Sequence, residues 1–471
     1  MSLQDRNITI IGAGLVGSLL SILLKKRGFN VTILEKRSDS RKNPLAYGRS
    51  INLIVTSRGL FALSLAGLEE KAKALSVQVY GREIHDLQSK TFYQPYGQKK
   101  ECNYAISRSG LNNFLMTEAE ALGVQIHFEQ KINEIDFEKK TLTKQDGLTE
   151  TVLRYGVLFG TDGVGSIVRQ QLIKKMPHQF QEKKEWLGVS YKELVIPADA
   201  QGKPLIKPDA LHIWPRGQFM MMALANLDQS FTVTLYMPEK ANTGPSFDQL
   251  VTDEQIADFF QQQFPDSVGL MNAANPARGD AKPSVLVNDF KSNPSMPLGN
   301  LRLNQWVYKD SVAILGDASH GIVPFFGQGM NSGFEDCSDL ISLMDKTSDW
   351  HSLLDQLQTL RKPNADAIAD MAVENWFEMS ERVADPKFIL RKKVEVILEE
   401  KIPQDFKSRY GMVTYTQIPY AQVQYLGNLQ NQIFQKLLTH VDQIEDVDFE
   451  KAKLLIHDHY TPEYRKSLSA K

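Results

Sequence analysis

An α/β fold in three regions follows from this sequence: a Rossmann-like dinucleotide-binding lobe, a sheet-rich lobe inserted within it, and a helical C-terminal region. Three observations predict it. Ile8 to Ile11 run into Gly12-Ala13-Gly14-Leu15-Val16-Gly17, then a helical pattern, then a second strand ended by Glu35. From Trp186 to Trp306 apolar residues alternate with period two, the spacing of strands. Beyond Gly333 helical spacing dominates, after a strand at Val312 to Leu315 has returned to the first lobe. These shifts place boundaries at residues 1–185, 186–306, 307–350 and 351–471, the first and third segments forming one lobe.

The opening βαβ unit carries its own chemistry. Its glycines permit a tight turn and close backbone approach, and the helix through Leu19, Leu20, Leu23 and Leu24 points its positive end at a pyrophosphate. Glu35 closes the second strand, where a carboxylate accepts from a ribose 2′-OH and repels a 2′-phosphate, which favours FAD or NAD over NADP. Further on, Ser107 precedes an amphipathic helix with Leu111, Phe114, Leu115 and Ala119 on one face. Arg108 lies in its first turn, where a cation opposes the helix dipole; an arginine aimed at an anion and a solvated surface arginine both account for it.

Segments around Ile132 to Phe137 and Thr141 to Lys144, with Asp146-Gly147 as turn, predict a small antiparallel hairpin. Val157, Leu158 and Phe159 then lead into Gly160-Thr161-Asp162-Gly163, a second strand-to-helix turn with Ser166, Val168 and Arg169 beyond it. In the sheet-rich lobe one helix is expected, from Asp253 to Phe264, and Met220-Met221-Met222 reads as a core strand. The third turn is Gly316-Asp317-Ala318-Ser319-His320, continuing through Pro324, Phe325, Phe326, Gly327, Gln328, Gly329, Met330 and Asn331. In the helical region turns are expected at Pro363, Asp385-Pro386 and Pro403, and His457 and His459 are expected to be exposed.

Composition narrows the function classes. Lys and Arg number 54 against 56 Asp and Glu, so a net charge of −2 leaves no electrostatic footprint for nucleic acid or anionic membrane. The 2 cysteines, Cys102 and Cys337, suit neither a disulfide framework nor a metal site. Polar Gln4, Asp5 and Arg6 precede a run broken by glycines, unlike a signal peptide, and no apolar stretch reaches membrane-spanning length. A cytoplasmic chain is the expectation.

Taken together, the three glycine turns resemble the FAD-binding pattern of the single-component aromatic hydroxylases. Gly12, Gly14, Gly17 and Glu35 match its fingerprint, Gly160 to Arg169 its Asp-Gly motif, and Gly316 to Asn331 its flavin loop. Within that family the chain is similar, over nearly its full length, to the branch that hydroxylates kynurenine. The carrying stretches are Gly48 to Leu53, Ile84 to Leu87, Gln94 to Gly97, Ser107-Arg108, Leu211 to Arg216, Pro324 to Asn331 and Met412 to Thr414. The resemblance implies a p-hydroxybenzoate hydroxylase-like fold and noncovalent FAD held by Gly12, Gly14, Gly17, Glu35, Arg108, Ile132, Asp162, Asp317, Gly329, Met330 and Asn331. It implies L-kynurenine as substrate, bound by Arg82, Tyr96, Asn375 and Tyr410, with Pro324, Phe325 and Phe326 as an apolar wall near the flavin.

The implied reaction is hydroxylation at C3 through a flavin C4a-hydroperoxide, with NADPH as transient reductant and O2 as oxygen source. The C-terminal membrane anchor of the mitochondrial family member is not matched by the acidic and basic residues from Asp442 to Lys453. Two rival readings stay open from the residues alone: a flavin hydroxylase of another aromatic acid, and a flavin-binding redox protein without turnover.

Overall fold

The computed structural model describes residues 3, 7–42, 52–98, 101–146, 149–273, 285–382 and 385–468. Gly48 to Ile51 and the turn residue Gly147 lie outside them. The chain divides into two compact units, residues 1–75, 106–185 and 299–369 in the first and 76–105, 186–298 and 370–471 in the second.

The first unit is built on a six-stranded sheet in the order Val307–Tyr308, Val312–Ile314, Val157–Gly160, Asn7–Ile11, Asn30–Leu34, Gln125–His127. All neighbours are parallel except the first pair. Parallel strands are covered on both faces and read as continuous apolar runs; Ile10, Ile33, Leu158, Phe159 and Ala313 are fully buried. The helices Leu15–Lys26 and Gly329–Met344 follow the first and third glycine turns. Beside this sheet, Ile132–Asp136, Thr141–Asp146 and Thr149–Arg154 form an antiparallel meander, one strand more than the expected hairpin.

The second unit holds the strands Phe231–Pro238, Met220–Ala225, Ala210–Pro215, Gly81–His85 and Thr91–Pro95, neighbours in that order within a seven-stranded sheet. Gly81–His85 lies parallel to Ala210–Pro215. That pairing draws residues 76–105 into this unit, a departure from the expected first segment; local periodicity is blind to a partner strand so distant in sequence. One face of the sheet is packed by Trp214, Met221, Phe231, Phe260, Phe264 and Phe290. Met220 and Met221 are fully buried, as a core strand requires.

Two expectations about helices need correction. Besides Asp253–Gln263, this lobe contains Pro265–Met271 and Val285–Ser292. Pro265 does not merely end the preceding helix; it opens the next at N1, where its missing N–H costs nothing. Pro363 makes no turn: it lies inside the helix Trp350–Phe377. A proline there forfeits one backbone bond, but the preceding turn is pinned by Arg361, which donates to Asp336, Glu335 and Asp339. The helix holds across the gap.

Asp385, by contrast, ends one segment and starts another. Its carboxylate accepts from the N–H groups of Lys387 (2.7 Å) and Phe388 (3.0 Å), with Pro386 at N1 of the helix Pro386–Lys401. Replacing Asp385 by Ala removes that cap and is expected to lower unfolding stability by about 1 kcal/mol, read as a lower urea midpoint with unchanged slope.

Candidate functional site

In the first unit the three glycine turns are joined to one another by side chains. Gly12 has φ +103°, and a Cβ on it would lie 2.7 Å from the Thr161 carbonyl oxygen. Gly17 is tighter still: its Cβ would stand 2.1 Å from the Gly12 carbonyl oxygen and 2.5 Å from Thr161 Oγ1. Only glycine permits the first turn to pass so close to the second. Thr161 then fastens the two, its hydroxyl donating to the carbonyls of Ile11 (3.1 Å) and Gly12 (3.0 Å).

Arg169 joins the second turn to the third. Fully buried, it donates to the Ala318 carbonyl (2.8 Å) and to that of Val164, with its Nε on Glu182 (2.7 Å). Val16 packs between the first turn and the third, since a Cβ at Gly316 or at Gly333 would meet Val16 Cγ2 at 2.9 and 2.7 Å. Under the third turn lies the buried carboxylate of Asp336, which accepts from the Gly316 N–H (2.9 Å), His320 Nε2 (2.6 Å) and Arg361 Nε (2.8 Å). Burial works to raise its pKa, but His320 and Arg361 outweigh burial and hold it below the usual carboxylate range.

The expected cofactor residues fall as follows. Gly14 is the N-cap of Leu15–Lys26, and its Cβ position is open, the nearest atom 4.0 Å away. Glu35 reaches back to the first turn and accepts from the N–H groups of Ala13 (2.8 Å) and Arg37 (2.9 Å). Asp162 accepts from the Ile167 N–H at 2.6 Å, and burial raises its pKa. Asp317 begins the short helix Asp317–His320, and Gly329 and Met330 form the first turn of Gly329–Met344.

Asn331 uses its side chain on backbone: Oδ1 accepts from the Thr56 N–H, and Nδ2 donates to the carbonyls of Ile54 and Gly327. Its side chain therefore shapes the loop, and any contact with a cofactor falls to its main chain. Phe325 and Phe326 are buried in a 3-10 turn that Gly327 ends at φ +66°, with Pro324 exposed at its start. Ile132 is buried at the start of the meander, two residues past Gln130, whose N–H donates to the Glu35 carbonyl. Arg108 is exposed, one helical turn ahead of Asn112, whose Nδ2 donates to the Ala13 carbonyl at 3.1 Å.

These residues fit FAD. No atom lies within 4 Å of a Cβ at Gly163 or Gly165, so backbone stands bare at the second turn as it does at Gly14. Two buried acceptors, Asp162 Oδ1 and Asn112 Oδ1, lack a hydrogen-bond partner among the described residues. Hydroxyl donors of a ribose or ribityl chain are the groups that such oxygens and Glu35 accept from, and a pyrophosphate is what a bare glycine turn at a helix N-terminus receives.

In the second unit Arg82, Tyr96 and Tyr410 come together. The Tyr96 and Tyr410 rings stack at 5.2 Å, and the Arg82 guanidinium carbon lies 5.5 and 5.3 Å from their centroids. Arg82 is buried, and its Nε has no hydrogen-bond partner among the described residues. Burial opposes its charge, yet Tyr96, Tyr410 and Glu378 outweigh that and keep its pKa above the ordinary value. Burial also pushes both tyrosine pKa values up, so their hydroxyls are neutral donors. Tyr410 accepts from Asn103 Nδ2 at 2.9 Å. Asn375 is buried and donates to Met379 Sδ (3.3 Å), one turn before the π-helical segment Glu378–Arg382.

Comparison with known proteins gives the family. A model of the FAD binding domain matches residues 5–273 and 277–372. A kynurenine 3-monooxygenase of Myxococcus xanthus is 44% identical over 460 residues, covering 97% of this chain and 96% of that protein. This chain belongs to the kynurenine 3-monooxygenase family. A second member, from Flavobacterium johnsoniae, is 39% identical over 444 residues, covering 93% of this chain and 95% of that one.

Solved structures share the family's fold. A tetrameric form of 2-methyl-3-hydroxypyridine-5-carboxylic acid oxygenase superposes with a TM-score of 0.63 at 21% identity, covering 84% of this chain and 98% of that one. PqsL of P. aeruginosa, in complex with 2-aminobenzoylacetate, gives 0.61 at 19% identity, covering 80% and 97%. The fold is that of the FAD-dependent hydroxylases, and FAD is the cofactor of this kynurenine 3-monooxygenase family member.

Sequence reasoning gave no role to Thr161, Asn112, Asn103, Glu378 or Asp336. Thr161 and Arg169 lie within the matched second motif, where a role was legible; the others carry no local signal. Because the Gly17 position admits no side chain, Gly17→Ala is expected to yield protein without the visible flavin spectrum, whereas Gly163→Ala, with open space around it, should retain more flavin despite its φ of +75°. Absorbance of the two purified proteins decides this.

Proposed function

We propose that this chain hydroxylates L-kynurenine at C3, using FAD, NADPH and O2, and releases 3-hydroxy-L-kynurenine and water. The observation that carries the reading is the buried Arg82 guanidinium, its Nε unpartnered, beside the stacked hydroxyl-bearing rings of Tyr96 and Tyr410. An aromatic amino acid with an α-carboxylate matches each feature. The carboxylate takes charge-assisted hydrogen bonds from the guanidinium and accepts from the neutral tyrosine hydroxyls. Asn103 holds the Tyr410 hydroxyl in place, and Asn375 completes the polar shell.

FAD supplies the redox chemistry when bound, passing electrons from NADPH to O2 and an oxygen atom to the ring. The protein's own part is to bind, orient and exclude water. Gly12, Gly14, Gly17, Glu35, Arg108, Ile132, Asp162, Asp317, Gly329, Met330 and Asn331 hold the cofactor in this reading. Pro324, Phe325 and Phe326 give it an apolar wall, two of the three side chains being buried. The substrate ring needs no base, because its aniline nitrogen already enriches the ortho carbon.

NADPH binds transiently, without a second nucleotide fingerprint. No helix among the described residues is long and apolar enough to cross a membrane. The low cysteine count, too few for a disulfide framework, and the near-neutral charge support a cytoplasmic location.

The test is turnover of kynurenine with NADPH, the product weighed. A product heavier by one oxygen is expected; NADPH oxidation that leaves kynurenine unchanged overturns the substrate assignment. Arg82→Met is expected to weaken kynurenine binding by about 1.5–3 kcal/mol, roughly ten- to a hundred-fold in Kd, while flavin absorbance is retained. Titration of the flavin spectrum with kynurenine measures both.

A further inference from the structure

The strand that presents Arg82 ends in a buried hydrogen-bonded chain that the reaction does not use. His85 Nδ1 lies 2.6 Å from Asp266 Oδ2, His85 Nε2 lies 2.9 Å from His212 Nδ1, and His212 Nε2 lies 2.8 Å from the Lys207 carbonyl oxygen. At these separations each contact is direct, with no space for a bridging water, and His85 and His212 are 5% and 2% exposed. Each contact needs one hydrogen. The Lys207 carbonyl can only accept, and so can an ionised Asp266; two neutral imidazoles bring two hydrogens to three contacts.

We propose that Asp266, His85 and His212 hold one additional proton at neutral pH, and that this proton positions the strand Gly81–His85 and with it Arg82. The link to substrate rests on the carboxylate-binding reading of Arg82 above. The proton belongs on His85, which faces the carboxylate and stacks on Trp214 at 4.1 Å and 22°, a cation–π geometry. Trp214 Nε1 donates to both Asp266 oxygens at 3.0 Å; burial raises the Asp266 pKa, but the bonds from His85 and Trp214 outweigh it and hold the group ionised. Burial pushes His212 down to about 4, which leaves it neutral.

Other charges also face the chain. Glu83 and Lys207 act on His212 with opposite signs, and Arg216 faces Asp266 and Asp86. Arg216 also ties the strand end, donating to the carbonyls of His85 (3.1 Å), Asp86 (3.3 Å) and Gln263 (2.6 Å). His212 stands opposite Glu83 and Leu211 opposite Arg82 in the parallel ladder. Loss of the proton leaves two lone pairs facing each other at under 3 Å at one of the three contacts, and with both rings stacked against Trp214, a shift of these two strands or of Asp266 relieves it. Arg82 lies three residues before His85 on the same short strand.

His85 is therefore a positioning residue. Proton and substrate binding are coupled and reciprocal: kynurenine binds better to the protonated chain, and KM rises as pH climbs through its titration.

Nuclear magnetic resonance of the holoenzyme with 15N-labelled histidine reads the protonation directly. Both His85 ring nitrogens should be protonated at pH 7; two neutral rings overturn the proposal. In turnover, wild-type KM for kynurenine should rise roughly fivefold or more with pH while kcat changes little. Asp266→Asn keeps an acceptor without the charge, so its rise should begin at lower pH. A merely structural role predicts the same pH profile in both proteins, and that result also overturns the proposal. His85→Gln should give a raised KM that is flat with pH. If His85 is charged but Arg82→Met binds kynurenine normally, the carboxylate reading fails, and the link to substrate with it, while the proton count stands.

Discussion

The buried carboxylate of Asp336 is the constraint on which the first unit's third turn depends. One oxygen accepts from the Gly316 N–H and from His320, the other from Arg361. Such a group is costly to bury alone and tolerable only when every lone pair finds a donor. Here the donors are a backbone amide at the turn, a ring stacked on Trp306 at 4.8 Å, and a guanidinium from another helix. A glycine-rich turn has little side-chain packing to fix its shape, so the charge beneath it supplies the missing rigidity. Arg361 extends the same network to Glu335, Asp339 and the Ser332 carbonyl, binding Trp350–Phe377 to Gly329–Met344. Helix Trp350–Phe377 can then carry Pro363 without breaking.

The two units meet different demands with different materials. In the first, glycines bring backbone to backbone, and Thr161, Arg169 and Val16 hold three turns in register, so the surface offered to a cofactor is mostly main-chain N–H and bare Cα. This suits a long, flexible ligand with a pyrophosphate, which reads backbone geometry more than side-chain identity. In the second, the candidate substrate cluster is all side chain: one guanidinium, two phenols and the amide that orients one of them. A small amino acid offers few atoms, so discrimination falls to charge-assisted bonds made in a dry place.

What was legible in the sequence followed from local rules. The βαβ unit, the second turn at Gly160 and the third at Gly316 each have their glycines, strand and helix within a short span. Tyr96 and Arg82 came from the family resemblance alone; that they flank one hairpin is seen only in the fold. What was illegible depended on partners far apart in the chain: Asn112 with Ala13, Asn103 with Tyr410, residues 76–105 with the strand Ala210–Pro215. Helix Val285–Ser292 was missed because its eight residues sit inside a stretch whose dominant period is that of strands. Of the four residues expected at the substrate, Asn375 illustrates the same divide, since it is placed by a contact with Met379 where the helix shifts to π geometry, a change of hydrogen-bond register with no sequence signature.

Asp336 and Asp266 also show why two buried acids of one protein need not behave alike. Asp336 meets Arg361, a cation that no ordinary pH discharges, so its turn is fixed once folded. Asp266 meets His85, an imidazole whose charge rests on one exchangeable proton, and it shares that histidine with a second imidazole whose other nitrogen faces the Lys207 carbonyl. The first arrangement builds a permanent floor under a cofactor turn. The second builds a floor that depends on one proton, and it lies at the end of the strand that carries the candidate carboxylate-binding arginine. Rigidity is thus placed where the ligand is resident, and adjustability where the ligand must come and go with each turnover.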